Sequence, residues 1–242
     1  MDPQFGRSAM VLGEESIELL GKKRVAVFGL GGVGGSAAET LARAGVGEFD
    51  LIDNDAFGLS NLNRQTLSSH GCLGRRKVDV AAERILSINP NAVVHKHQCF
   101  YSPENQGGID FGRFDYVLDA IDTVSSKLLI IEQAASFGIP VLSALGCGNR
   151  IDPTKLRICD IFDTEGDPLA RVLRRELRRK SIKHLKVVCS SEQPRAPKIA
   201  PQEPLPPGKK SIPGSTSFVP PTAGILMAYQ ACADLCGWNQ KA

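Results

Sequence analysis

Residues Arg24 to Gly35 read RVAVFGLGGVGG. After Arg24, the four residues Val25 to Phe28 are β-branched, aromatic or small and run into glycine, which is the pattern of a strand buried on both faces. The glycines that follow sit where a chain must turn sharply out of a strand and into a helix. Glycine is needed there because a Cβ would block the turn and keep an anion away from the backbone. Working outward, GSAAETLARAG has helical apolar spacing and a glycine stop at Gly45, and EFDLID is a second strand ending on Asp53. GRRKVDVAAERILSINP continues as a helix and AVVHKH as a strand. FDYVLDAID is a strand expected to end in two acids, Asp119 and Asp122. SSKLLIIEQAASFG is a helix and IPVLSALG a buried strand. This βαβαβ rhythm calls for an α/β fold: a Rossmann-like, doubly wound, mostly parallel sheet covered on both faces. Ligands of such a sheet lie beyond the carboxyl ends of its strands.

Beyond Gly148 the pattern changes. TKLRICDIF and HLKVVCS read as strands around a helix, DPLARVLRRELRRKSI, with Pro168 in its first turn. Seven of the fifteen prolines fall between Pro194 and Pro213, so residues 191–213 are expected to be a long loop. STSFVPPTAGILMAYQACADL should be a short strand and an apolar helix. The chain is therefore read as a single domain over residues 1–242. A nucleotide-binding core spans about 22–150, and an extended C-terminal portion spans about 151–242.

The 242 residues are 42% hydrophobic, ample for a packed core. No apolar run is long enough for a membrane span, and MDPQFGRSAM lacks the apolar stretch of a secretory signal. The seven cysteines are odd in number and scattered, which suits reduced thiols and a cytoplasmic location. No C-x-x-C pair is present, arguing against a structural zinc. Net charge is +3, unevenly spread. Arg171 to Lys186 holds eight Lys/Arg against Glu176, a local +7, so the remaining residues are net −4. Arg171, Arg174, Arg175 and Arg178 recur at helical three- and four-residue spacing, and such a row suits a polyanion such as RNA.

Gly29-x-Gly31-x-x-Gly34, with Gly32 between, is the phosphate-loop signature. Asp53, 24 residues after Gly29, stands where a carboxylate reaches a ribose hydroxyl. That much fits either NAD or ATP. The stretch after Asp53 separates them. Asn61, Arg64 and Lys77 supply donors and two cations, and Asp122 supplies a ligand suited to Mg²⁺. A dinucleotide needs little of this. A triphosphate cleaved next to its α-phosphate does, because charge develops on both sides of the breaking bond.

GLGGVG followed by LIDNDAFGLSNLNRQ resembles the ThiF/MoeB family, bacterial relatives of the ubiquitin-activating enzymes, which bind ATP and adenylate a carboxylate. The resemblance implies that Gly29, Gly31, Gly32 and Gly34 cradle phosphates and that Asp53 holds the ribose. It gives Asn61, Arg64 and Lys77 to the triphosphate and Asp122 to magnesium. Arg7, in FGRSAMVLG, is similar to an arginine that family members send across a homodimer, although Gln4 stands where a second arginine is usual. IDTVSSK, LARVLRRELRR and IKHLKVV resemble the tRNA threonylcarbamoyladenosine dehydratase branch, over about Arg7 to Ser191 and again from Gly214. The resemblance thus implies an ATP- and Mg²⁺-dependent enzyme. It would adenylate the carboxylate of threonylcarbamoyladenosine at position 37 of tRNA and close it into a ring, releasing AMP and pyrophosphate. Arg171, Arg174, Arg175 and Arg178 would meet the tRNA, and a sulfur-relay protein is a candidate further partner. The other use of the family, activation of a ubiquitin-like or sulfur-carrier protein, calls for a reactive cysteine. Cys147 is the candidate by position, but no Cys–His pair is evident. An NAD-linked oxidoreductase and an RNA-binding module with a disused nucleotide loop are the remaining alternatives.

Overall fold

A computed structural model describes residues 2–200 and 212–238. Seven strands form one sheet: β1 (Arg24–Phe28), β2 (Glu48–Ile52), β3 (Val93–His97), β4 (Tyr116–Asp119), β5 (Val141–Ala144), β6 (Leu156–Asp160) and β7 (Lys186–Ser190). Their spatial order is β3-β2-β1-β4-β5-β7-β6. Neighbours are parallel except β6, which runs antiparallel to β7 at the edge. The strands expected from sequence therefore form a mostly parallel sheet, and β6 and β7 from the C-terminal portion extend it rather than starting another.

Seven α-helices accompany the strands: α1 (Gly6–Leu12), α2 (Glu14–Leu20), α3 (Gly32–Ala44), α4 (Lys77–Ile88), α5 (Val124–Phe137), α6 (Pro168–Arg179) and α7 (Val219–Cys236). Alternate residues of β1 divide the core. Val25 and Val27 pack with α3, α4 and α7, while Ala26 and Phe28 pack on the other face with Ile130 and Ala134 of α5. Leu173 and Leu177 of α6 extend that second face. The winding reverses between β1 and β4, and a crevice opens at such a point beyond the strand ends.

The apolar α7 is explained by its partner. A Cβ on Gly224 would stand 2.2 Å from the Val33 carbonyl oxygen and 2.9 Å from the Ala37 nitrogen. The glycine lets α7 lie directly against the start of α3, close beside the phosphate loop. One expectation is corrected. The strand expected before α7 does not form, since residues 215–218 are irregular and run into a first turn containing Pro220. Residues 6–20, read without an assigned element, fold as α1 and α2. Of the proline-rich stretch, residues 201–211 lie outside the described residues.

Candidate nucleotide site

At the switch point, a cavity of about 640 Å³ is lined by Gly29, Gly31, Gly32, Asp53, Asn61, Arg64, Lys77 and Asp122. These residues come from the ends of β1, β2 and β4, the 54–65 loop and the start of α4. Gly29 has φ +86°, and a Cβ there would come 2.8 Å from the Ala120 carbonyl oxygen. Only glycine closes the turn while letting the loops after β1 and β4 touch. The first turn of α3 then presents its unpaired N–H groups to the cavity, an arrangement that favours anions.

Gly34 falls elsewhere. It is buried and absent from the cavity lining, and a Cβ on it would lie 1.8 Å from the Gly29 carbonyl oxygen. Its lack of a side chain serves the packing of α3 on the loop, so the fingerprint's third glycine acts on the phosphate loop from beneath.

Asp53 is buried and accepts two main-chain hydrogen bonds, from Leu30 N–H at 2.6 Å and Asp55 N–H at 2.7 Å. The carboxylate thereby ties the end of β2 to the phosphate loop. Burial pushes its pKa up, against the opposing pull of nearby Lys77 and of both amides. Lys77 is itself buried, with Nζ 2.9 Å from Asp55 Oδ2 and its amide donating to the Asp55 carbonyl. It begins α4, after an isolated bridge between Ala56 and Arg76 has turned the chain. Arg64 is half-buried, and its Nη1 donates to the Ser60 carbonyl at 2.8 Å and to Asn63 Oδ1 at 2.9 Å. Among the described residues no carboxylate neutralises it. Asn61 Oδ1 accepts from Gly58 N–H at 3.0 Å, holding the one-turn helix that carries Arg64 over the cavity.

Asp122 requires a correction. β4 ends at Asp119, three residues earlier than expected, and Asp122 lies exposed on the following loop at the cavity wall. The acid that ends the strand, Asp119, is fully buried against Lys127 Nζ at 2.8 Å and accepts from Ser143 Oγ at 2.5 Å. Lys127 also donates to the Ile121 carbonyl at 2.9 Å, and Asp119 Oδ1 accepts from Ile121 N–H at 3.2 Å. A buried ion pair thus sets the path of residues 120–122. The sequence reading missed this pair, although a lysine on an otherwise apolar helix face was a visible signal.

The remaining candidates stand apart. Arg7 is exposed on α1, outside the cavity lining. The preceding Phe5 lies beside Gly45, near the opposite ends of the strands. On α6, Arg171, Arg175 and Arg178 are exposed, Arg175 beside Glu176 at 2.9 Å and Arg178 over the Phe162 ring at 5.3 Å. Arg174 turns inward, donating to the Thr164 carbonyl at 2.8 Å and to Thr164 Oγ1. It braces the 161–164 turn, so the row presents three arginines rather than four. Burial pushes the Cys147 thiol up to about 11, so it is not a thiolate near neutral pH. Asn149, with φ +59°, exchanges hydrogen bonds with Gly214 through its backbone and side chain, pinning the segment that reaches the cavity rim.

Among the described residues no helix is long and apolar enough to cross a membrane. Comparisons with known proteins extend these observations. The chain is 38% identical over 240 residues to tRNA threonylcarbamoyladenosine dehydratase of Bacillus subtilis, covering 96% of this chain and 94% of that one. Its fold matches Escherichia coli TcdA, tRNA N6-threonylcarbamoyladenosine dehydratase, in complex with AMP: TM-score 0.87, 31% identity, 99% and 96% of the two chains. It also matches the same enzyme in complex with ATP, with TM-score 0.84, 32% identity, and 98% and 96% coverage. The ThiF family model matches residues 5–239. With Gly29, Asp53, Arg64 and Lys77 gathered around one cavity beyond the strand ends, the chain belongs to the ThiF family.

Proposed function

We propose that this chain is an ATP-dependent tRNA threonylcarbamoyladenosine dehydratase. It adenylates the carboxylate of the modified adenosine at position 37 and promotes ring closure, releasing AMP and pyrophosphate. One observation carries the reading: Gly29, Gly31, Gly32, Asp53, Asn61, Arg64, Lys77 and Asp122 meet around a single cavity. Near-full-length similarity to enzymes of that name supports the substrate.

A carboxylate is a poor electrophile because its leaving group would be oxide. Attack of a carboxylate oxygen on the α-phosphorus forms an acyl-adenylate and breaks the bond to pyrophosphate. A neighbouring nucleophile of the modified base then displaces AMP, so the net change is loss of water. The chain's part is positioning and charge stabilisation. The amides at the start of α3 hold the phosphates, and Asp53 orients the ribose. Asn61 and Arg64 meet the outer phosphates, where the guanidinium can bond two oxygens at once. Lys77, held in low dielectric, offsets charge developing at the α-phosphate.

The site also fits Mg²⁺, which takes one or two carboxylates together with phosphate oxygens and water. Asp122, a carboxylate on the cavity wall, would hold the ion. When bound, it would neutralise charge on the outer phosphates. Arg7, exposed and outside the lining of its own cavity, would act across a homodimer. The whole chain works as one catalytic unit in the cytoplasm. Its part beyond residue 151 meets tRNA through Arg171, Arg175 and Arg178, and Arg174 supports that face from within. Docking of a sulfur-relay protein belongs to the same reading.

The test is ATP labelled at the α-phosphate, mixed with the full chain and tRNA bearing the modification. Labelled AMP and a cyclised, dehydrated nucleoside are expected. AMP formation without that product would favour a protein substrate, and tight NAD binding with no AMP would refute the proposal.

A further inference from the structure

Two buried side-chain polar atoms among the described residues lack a hydrogen-bond partner: Gln65 Oε1 and the Tyr101 hydroxyl. Both residues line the nucleotide cavity. Tyr101 packs edge-on against Phe28 at 5.0 Å and beside Phe111, an aromatic setting that accounts for its burial. Gln65 has no such explanation. Its backbone is fully engaged: the N–H donates to the Asn61 carbonyl at 2.9 Å, and its carbonyl accepts from Ser68 N–H at 2.8 Å and Ser68 Oγ at 2.6 Å. Gln65 is 6% exposed, and its Oε1 is buried without a hydrogen-bond partner among the described residues. A methionine or leucine would fill the same space without the cost of a desolvated amide.

Its position supplies the reason. A Cβ placed on Gly31 would lie 3.9 Å from Gln65 Nε2, with nothing nearer. Gly31 is the N-cap of α3 and has no side chain to cap the helix. The carboxamide therefore stands beside the point where the helix start and the glycine turn together favour an anion. Arg64, the neighbouring residue, faces the same cavity.

We propose that Gln65 is a further ligand-binding residue of this site, its Nε2 donating to a phosphoryl oxygen of ATP lodged at Gly31. The inference rests on the ATP reading and deepens it. The donor is neutral and directional, so it selects the placement of one oxygen where Arg64 and Lys77 supply charge. Phosphate brings no proton for the other end of the amide. The ligand therefore engages the Nε2 end of the amide and not Oε1.

Titration calorimetry with the full chain tests the idea, using ATP and adenosine as separate probes. Hydrogen bonds to charged groups account for roughly tenfold or more in affinity. Gln65→Met should therefore weaken ATP by about tenfold, and Gln65→Glu should weaken it further through repulsion. Adenosine binding should be unchanged in both. A methionine variant that binds ATP like the parent, or that loses adenosine equally, overturns the inference. Should either variant fold poorly, the parent chain itself gives the answer. With ¹⁵N-labelled glutamine and sequential assignment, the Gln65 side-chain amide should move on adding ATP and stay still with adenosine. ATP binding with that resonance unmoved sinks this inference and leaves the enzyme reading intact. Absence of any ATP binding by the parent chain would instead sink the enzyme reading.

Discussion

Lys77 and the arginines of α6 carry the same charge in opposite settings. Lys77 has a side chain only 6% exposed, held 2.9 Å from Asp55 and close to Asp53. Arg175 and Arg179 stand about two-thirds exposed, sharing Glu176, and Arg171 and Arg178 are likewise open to solvent. Lys77 is buried, so its charge acts at short range with less screening. On the helix face, a single ion pair contributes little because salt and water screen it. A row of such charges still binds a polyanion, through release of counterions. Under the proposed function, one region serves chemistry on a single phosphate group, where ångströms matter. Under the same proposal the other meets a long backbone, where number matters more than placement. Arg174 marks the boundary: it shares the sequence spacing of the exposed row but is spent on the 161–164 turn.

Four measurements would break or sharpen this contrast. The largest effect is expected at the most deeply buried cation. Lys127→Met leaves Asp119 charged and unpaired in the core, and should cost about 3–5 kcal/mol in urea denaturation. A cost under 1 kcal/mol would mean that the pair does not hold the 120–122 loop. Next comes Arg64→Ala, for which AMP release should fall about 10²–10³-fold, the usual loss for one charge-stabilising donor. The melting temperature should not change, since the guanidinium bonds only its own loop. Retention of most activity would remove the cavity's claim to the chemistry.

A smaller effect is expected on the helix. Converting Arg171, Arg175 and Arg178 together to Ala should weaken tRNA binding and flatten the salt dependence by about 2 in log–log slope. ATP affinity should stay the same. Arg174→Ala should do the reverse, leaving the slope alone and lowering stability by about 1–2 kcal/mol through lost hydrogen bonds. If the two variants behave alike, the boundary drawn at Arg174 is wrong. The smallest effect concerns pH. Asp53 is shifted up by burial, so it takes a proton at a higher pH than an ordinary aspartate. In the proposed function its carboxylate is the form that accepts the ribose hydroxyl. ATP affinity should therefore begin to fall, on acidification, at a higher pH than an unperturbed aspartate would give, and Asp53→Asn should remove that dependence. The linkage to stability runs the opposite way. A carboxyl with a raised folded pKa favours the folded state when protonated, and that contribution is lost as pH rises through the folded value.

Much of this was written in local sequence. Arg24–Phe28 could be read as a buried strand, and Gly29–Gly34 as a turn into a helix, because strand burial and backbone sterics depend on residues only a few positions apart. Asp53, Asn61, Arg64 and Lys77 could be nominated because each follows a recognisable element. The tertiary structure decided what each does. Parallel pairing of β1 with both β2 and β4 brought residues 29, 53 and 122 to one edge from segments far apart in the chain. Packing assigned Gly34 to the underside of the loop, ended β4 at Asp119 with Lys127 as its partner, turned Arg174 inward and left Gln65 buried beside Gly31. None of those assignments is a property of a residue and its sequence neighbours. Burial and pairing depend on which distant atoms arrive at the same place, and that is settled only when helices and sheet close on one another.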